Sequence, residues 1–155
     1  MLGKAFLYIL LFIVPLNYWA QDSLIGIWQD EPVLASGWSN NYRFYENGSY
    51  IYSHNQMNCE DSIIATHGKF RIKGGLLILK QKQIEFISGG EYVRASGSCG
   101  SVFELVGGTP VIRSKRKRNI YSISMISKES VYEHLDYILI GKKKYWKLGW
   151  DPNDY

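Results

Sequence analysis

The sequence predicts an all-β protein, an up-and-down antiparallel meander of about eight to ten strands closed into a barrel. Short runs rich in aromatic and β-branched residues recur along the chain, with turn residues between them. Asn47-Gly48 and Gly74-Gly75 are strong hairpin signals, because glycine and asparagine tolerate the positive φ of tight turns. After residue 20, no segment has the spacing of an amphipathic helix. A meander of this kind closes or stacks to remove its free edges.

The first twenty residues have the pattern of a secretory signal peptide. Lys4 precedes an apolar run over 5–16, and Ala20 is a small residue at the expected cleavage site. The run is too short to span a bilayer comfortably, although an uncleaved membrane anchor remains the alternative. We therefore expect a signal peptide at 1–20, a single domain at 21–155, no stable membrane span after cleavage, and a secreted or periplasmic protein.

The net charge and the cysteines of the chain bear on the class of protein and on its cellular compartment. The net charge of the 155-residue chain is +4, with acidic residues spread along it, so a nucleic-acid binder is not expected. Cys59 and Cys99 are its two cysteines. In an exported chain, this pair predicts a disulfide.

The first hairpin has two possible registers. A three-residue loop, 46–48, pairs Phe44 with Tyr50 and Tyr42 with Tyr52, so that all four rings share one face. A two-residue loop would divide these rings between the faces. We favour the three-residue loop, because it keeps one face apolar.

The second hairpin turns at Gly74-Gly75. A two-residue loop there pairs Ile72 with Leu77 and Phe70 with Leu79. These four side chains then lie on the interior face.

Further strands follow from the same pattern. They are predicted at 24–29, 102–106, 109–113, 120–126, 131–140 and 145–150. Alternating strand directions place three loops, 30–41, 55–62 and 82–101, at one end of the barrel. The basic segments 115–118 and 142–144 are expected at the same end. Long loops at one end and tight turns at the other are typical of a barrel with a mouth.

Three short motifs resemble the lipocalin-like (calycin) families of small secreted bacterial β-barrels. They are Gly26-Ile27-Trp28, the hairpin phrase Phe44-x-x-Asn47-Gly48-x-Tyr50, and the final Tyr145-Trp146-Lys147-Leu148. The resemblance implies that Trp28 plugs the closed end of the barrel and that Lys147 packs against it.

The resulting hypothesis is a small hydrophobic ligand, held in the barrel, whose anionic head group meets Arg116 and Lys143 at the rim. The predicted ligand-binding residues of the interior are Tyr42, Phe44, Tyr50, Tyr52, Phe70, Leu77, Leu79, Tyr121, Ile123 and Met125. The alternative is a barrel filled by its own side chains, with no ligand. Such a protein would be an interaction or inhibitor module of the cell envelope.

Chemistry at a catalytic or metal site is not expected. His54, Cys59 and His67 flank one loop, but a secreted cysteine with one possible partner favours a disulfide over zinc. Neither a nucleophile beside a base nor a suitable carboxylate pair is indicated by the spacing. We therefore expect a non-enzymatic protein without cofactor or metal.

Overall fold

The computed structural model describes residues 21–34, 38–97, 99–126 and 135–154. The predicted signal peptide, 1–20, lies outside them. Ten strands are found in the described part: β1 (Gly26–Gln29), β2 (Asn41–Phe44), β3 (Ser49–Ser53), β4 (Ile63–Lys73), β5 (Leu76–Ser88), β6 (Glu91–Arg94), β7 (Phe103–Val106), β8 (Thr109–Ile126), β9 (Tyr137–Ile140) and β10 (Lys143–Gly149). Within these residues, no helix has the length and apolar character needed to cross a bilayer.

Eight of the strands form a closed antiparallel ring in the order β1-β10-β9-β8-β5-β4-β3-β2. β6 and β7 pair with each other as a separate two-stranded sheet. β1 closes the ring, since it pairs with β2 on one side and with β10 on the other. The predicted all-β meander is confirmed.

The first hairpin has the predicted register. Phe44 lies opposite Tyr50, and Tyr42 lies opposite Tyr52. The amide of Tyr45 donates to the carbonyl of Ser49 at 3.0 Å, which leaves a three-residue loop. Gly48 takes the φ of 72° that a bulged loop requires.

The second hairpin also agrees with the sequence. Ile72 lies opposite Leu77, and Phe70 lies opposite Leu79. Gly74 and its neighbour both have positive φ, which is typical of a two-residue turn between twisted strands.

The long β5–β8 pair differs from the prediction. The segments 109–113 and 120–126 belong to one strand, β8, and the basic residues 115–118 lie within it rather than in a loop. The predicted loop 82–101 contains the end of β5 and all of β6. Lysines and arginines fit these strands because β8 is exposed along most of its length, where backbone pairing with β5 needs no apolar side chain.

The last part of the chain forms β9 and β10. The strand predicted at 131–140 is shorter, β9, and residues 131–134 lie outside the described part. β10 begins at Lys143, two residues before the predicted start.

The core fills one end of the ring, which we call the closed end. Its buried members are Leu24, Trp28, Tyr42, Phe44, Tyr50, Phe70, Leu77, Leu79, Ile138, Ile140 and Tyr145. The opposite end, the mouth end, carries residues 30–34 and 38–40, the loop 54–62 and the Gly141-Lys142 turn.

The predicted disulfide between Cys59 and Cys99 is present, with Cα atoms 5.9 Å apart. It joins the 54–62 loop to the segment that leads into β7. Two backbone hydrogen bonds run alongside it, from the amide of Gly100 to Met57 at 3.0 Å and from that of Leu105 to Cys59 at 2.9 Å. The β6–β7 hairpin is therefore attached to a loop at the mouth end.

Replacing Gly26 by alanine should lower the free energy of unfolding by about 1–3 kcal/mol. Gly26 has a φ of 123°, and a β-carbon there would overlap the carbonyl oxygen of Gly149 on β10. Urea denaturation measures the change. Gly100→Ala is the control, because its β-carbon would lie at an ordinary 3.5 Å from Met57. Equal stability of the two variants would contradict this role for Gly26.

Removal of the disulfide by Cys59→Ser with Cys99→Ser should cost about 3–4 kcal/mol, because the bridge closes a loop between cysteines 40 residues apart. The measurement is the urea midpoint against that of the wild-type protein. A thiol titration of the unfolded, unreduced wild type should find no reactive sulfhydryl, and two would refute the bridge.

Candidate ligand cavity

A cavity of about 400 Å³ lies inside the ring, between the core and the mouth end. It is lined by Tyr42, Tyr50, Tyr52, His54, Thr66, Leu79, Gln81, Lys117, Asn119, Tyr121, Ile140, Lys143 and Tyr145. Five of these are tyrosines, which combine a flat apolar ring with a polar hydroxyl. The cavity is therefore aromatic in its walls and polar in its hydrogen-bonding groups.

Packed rings form the floor of the cavity. Tyr42 stacks on Phe44 with ring centroids 5.3 Å apart, and Phe44 meets Phe70 edge-on at 4.8 Å. Such offset and edge-on contacts stabilise aromatic clusters beyond the area they bury. The floor is consequently rigid and apolar.

The tyrosine hydroxyls are organised by short polar contacts. Tyr145 donates a hydrogen bond to Tyr52, and Thr66 donates one to Tyr50. Burial raises the pKa of Tyr50 to about 12, and it raises the pKa of Tyr42 and of Tyr145 as well. These hydroxyls stay neutral at physiological pH. The hydroxyl of Tyr50 accepts from Thr66 and that of Tyr52 accepts from Tyr145, so both keep their own hydrogen for an acceptor in the cavity.

Two lysines bring positive charge to the cavity. The Nζ atom of Lys143 lies 2.5 Å from Oδ2 of Asp30. Asn40 donates a hydrogen bond to the same oxygen, and Ser39 donates one to Oδ1. Burial alone would raise the pKa of Asp30, but these three donors outweigh it and hold the pKa below its usual value. Lys117 is the second lysine, and no ion pair of it is found in the described part of the chain.

Trp28 and Lys147 meet beneath the cavity. Their Cα atoms are register partners on β1 and β10, and the Lys147 ammonium lies 5.2 Å from the Trp28 ring centroid. The indole nitrogen of Trp28 donates to the carbonyl of Leu24 at 2.7 Å. The Trp150 ring also contacts this ammonium, with its centroid 3.2 Å away. The structure thus brings together the two residues that the lipocalin-like resemblance singled out.

The predicted ligand-binding residues fall into several groups. Those on the cavity wall are Tyr42, Tyr50, Tyr52, Leu79, Tyr121 and Lys143. Phe44, Phe70 and Leu77 are buried in the core below it, and Ile123 packs against that core. Arg116 lies in an open groove on the outside of β5 and β8, away from the cavity. Met125 is on β8, but its side chain lies outside the described part.

Sequence reasoning missed several wall residues. They are His54, Thr66, Gln81, Lys117, Asn119, Ile140 and Tyr145. Residues 117, 119 and 121 alternate on β8, so extending the strand towards its start would have found two of them.

The two histidines weighed as zinc ligands face carboxylates instead. His54 lies 3.4 Å from Asp61, and His67 lies 3.3 Å from Glu85. Cys59, weighed with them, is bonded to Cys99.

Comparisons of the chain with known protein families, with curated proteins and with solved structures find no match. The functional argument therefore depends on the geometry of the cavity and of the surface.

The stability of the protein should rise between about pH 8 and pH 9 because of Lys147, below the pH at which the buried tyrosines, whose pKa values are raised, begin to oppose it. Burial lowers the pKa of Lys147 from 10.5 to about 8, and the charge of Asp136 opposes this only in part. Over that window the unfolded chain holds a proton that the folded protein has released, so the free energy of unfolding increases with pH. Urea denaturation at a series of pH values measures this.

Lys147→Met should remove the rise, whereas Lys69→Met, at an exposed lysine of β4, should keep it. An unchanged pH profile in Lys147→Met would contradict the assignment.

Proposed function

We propose that this protein is a non-enzymatic, lipocalin-like binding protein that holds a small, largely apolar ligand with an anionic group in its barrel. The cavity of about 400 Å³ is the observation that carries the proposal. Small-molecule sites range over about 300–1,000 Å³, so this cavity suits a ligand near the lower end of that range.

The lining supports an anionic group on the ligand. Lys117 provides positive charge, and the neutral hydroxyls of Tyr50 and Tyr52, which both act as acceptors towards their neighbours, can donate hydrogen bonds to an oxyanion. Lys143 is held by Asp30, whereas Lys117 is available for a ligand carboxylate, sulfonate or phosphate. The tyrosine rings and Leu79 provide the apolar contacts.

The lipocalin-like assignment is supported by the closed end of the barrel. Gly26 has a backbone conformation suited to glycine, and Trp28 two residues later packs on Lys147 of the last strand. Export from the cytoplasm is part of the proposal, because a disulfide between Cys59 and Cys99 persists best in an oxidising compartment.

An interaction module is the second candidate function. The β6–β7 hairpin and its approach leave apolar side chains exposed, namely Tyr92, Val93, Val102, Phe103 and Val106. Clustered exposed apolar residues are common at protein contacts. This function requires no cavity ligand.

Native mass spectrometry of protein purified from its own host tests the ligand directly. We expect a co-purified small molecule, whose mass is lost on denaturation. Repeated detection of the bare polypeptide would favour the interaction module.

Lys117→Gln should weaken binding of the fluorescent probe anilinonaphthalene sulfonate by about tenfold, because a charge-assisted contact contributes about 1.5–3 kcal/mol. The probe combines an aromatic body with one anionic group. Lys115→Gln is the matched control, since Lys115 is an exposed lysine of the same strand that does not line the cavity. Fluorescence titration gives both affinities. Equal loss in both variants would indicate surface charge rather than the cavity.

A further inference from the structure

One edge of β8 is left open for most of its length. β8 pairs with β5 from Thr109 to Ser122, but with β9 only from Ile123 to Ile126. Among the described residues, no strand pairs with the other side of β8 from 109 to 120. We call residues 109–120 the free edge of β8; only four residues of β8 pair with β9.

The orientation of the backbone along the free edge follows from two hydrogen bonds. The amide of Ile123 donates to Gly75 on the β5 side, whereas the carbonyl of Ser122 accepts from Gly141 on the opposite side. Successive residues of a strand direct their amide and carbonyl groups to opposite sides. Arg118 and Ile120 therefore present these groups to solvent, up to the irregularity in register with β5 between Lys117 and Ser114.

Pro110 agrees with this orientation. Its register partner Ile87 donates its amide to Ser62 on the β4 side, so the Ile87–Pro110 pair is not hydrogen-bonded. Proline has no amide hydrogen and occurs in sheets where that position faces away from a partner strand. Ile112 and Ser114, on the same side of the irregularity as Pro110, share its orientation. With Arg118 and Ile120 they offer four amide donors and, with Pro110, five carbonyl acceptors.

The charge of the free edge has a single sign. Residues 109–126 contain five lysines and arginines and no acidic residue. Lys80 and Lys82 of β5 extend the positive surface, and an open groove between the two strands is lined by Arg116, Lys117 and Arg118 together with both. Apolar side chains interrupt the charges, with Ile112 58% exposed and Ile120 50% exposed.

The positive charge of the free edge favours some binding partners over others. Lysines on an edge strand discourage pairing with another copy of the same edge, because like charges would meet. The same charges attract an acidic strand. Exposed amides, alternate apolar positions and positive charge together suit an extended acidic polypeptide.

We propose that an extended acidic segment of a partner protein binds to the free edge of β8 as an added strand. Its backbone pairs with Ile112 and Ser114 and with Arg118 and Ile120, on either side of the irregularity in register. Its acidic side chains lie against Arg116 and Arg118, and its apolar side chains contact Ile112 and Ile120. Lys117 borders both this surface and the cavity, but Arg116, Arg118, Ile112 and Ile120 do not line the cavity, so the inference does not depend on the proposed ligand.

The test uses a synthetic peptide of about ten residues that alternates glutamate with valine or threonine. A second peptide has the same sequence but carries N-methyl groups on alternate amides, which removes strand pairing and keeps the charge. Isothermal titration calorimetry gives both affinities. We expect the methylated peptide to bind at least about tenfold more weakly.

Hydrogen exchange locates the contact. The amides of Ile112, Ser114, Arg118 and Ile120 should gain protection when the unmethylated peptide is added, whereas solvent-facing amides elsewhere should not. Protection confined to other strands would overturn the proposal.

Arg116→Gln with Arg118→Gln should weaken binding of the unmethylated peptide by about threefold or more. The salt dependence of its affinity should also decrease. The matched control is Arg71→Gln with Lys73→Gln, which removes the same charge from exposed positions of β4. Equal affinity for the two peptides would show charge attraction without strand addition. Binding of heparin or of anionic vesicles with no binding of either peptide would show a polyanion site. Either result would overturn the proposal.

Discussion

Ring closure through β1 is the constraint on which the rest of the structure depends. This strand has only four residues, yet it pairs with β2 and with β10 along its length, and all four are buried. Trp28 lies between Tyr42 on one side and Lys147 on the other. The conformation of Gly26 lets the chain enter this narrow position. Without this strand the sheet would have two open edges, at β2 and at β10.

Features determined by local chemistry could be predicted from the sequence. The glycines of both hairpins require positive φ, and that requirement sets the loop length and hence the pairing of Phe44 with Tyr50 and of Phe70 with Leu79. The disulfide could be predicted because the chain has two cysteines, so that each has a single possible partner. The turn type depends on a few neighbouring residues, and the number of cysteines does not depend on the fold at all. Both can therefore be taken from the sequence alone.

Features that depend on the environment of a strand were missed. The basic stretch in β8 reads as a loop because lysines and arginines are uncommon in a buried sheet, but this part of β8 has few neighbours. The sequence left open the choice between a ligand cavity and a filled core, because the free volume depends on how the inward side chains fill the ring together. Small side chains such as those of Thr66 and Asn119 leave space that larger side chains would occupy. Gly68, beside the Tyr50 ring, adds no side chain to the same interior.

The bond between Cys59 and Cys99 has a mechanical consequence. It attaches the β6–β7 hairpin, at the far end of the β5–β8 ribbon, to the loop that follows His54 on the cavity wall. The ribbon of β5 and β8 is thereby joined to the barrel at two points. Its strands continue into the barrel sheet, and the disulfide links its far end to the 54–62 loop. A force or a displacement applied to the hairpin is transmitted to the rim of the barrel instead of being absorbed by bending of the ribbon.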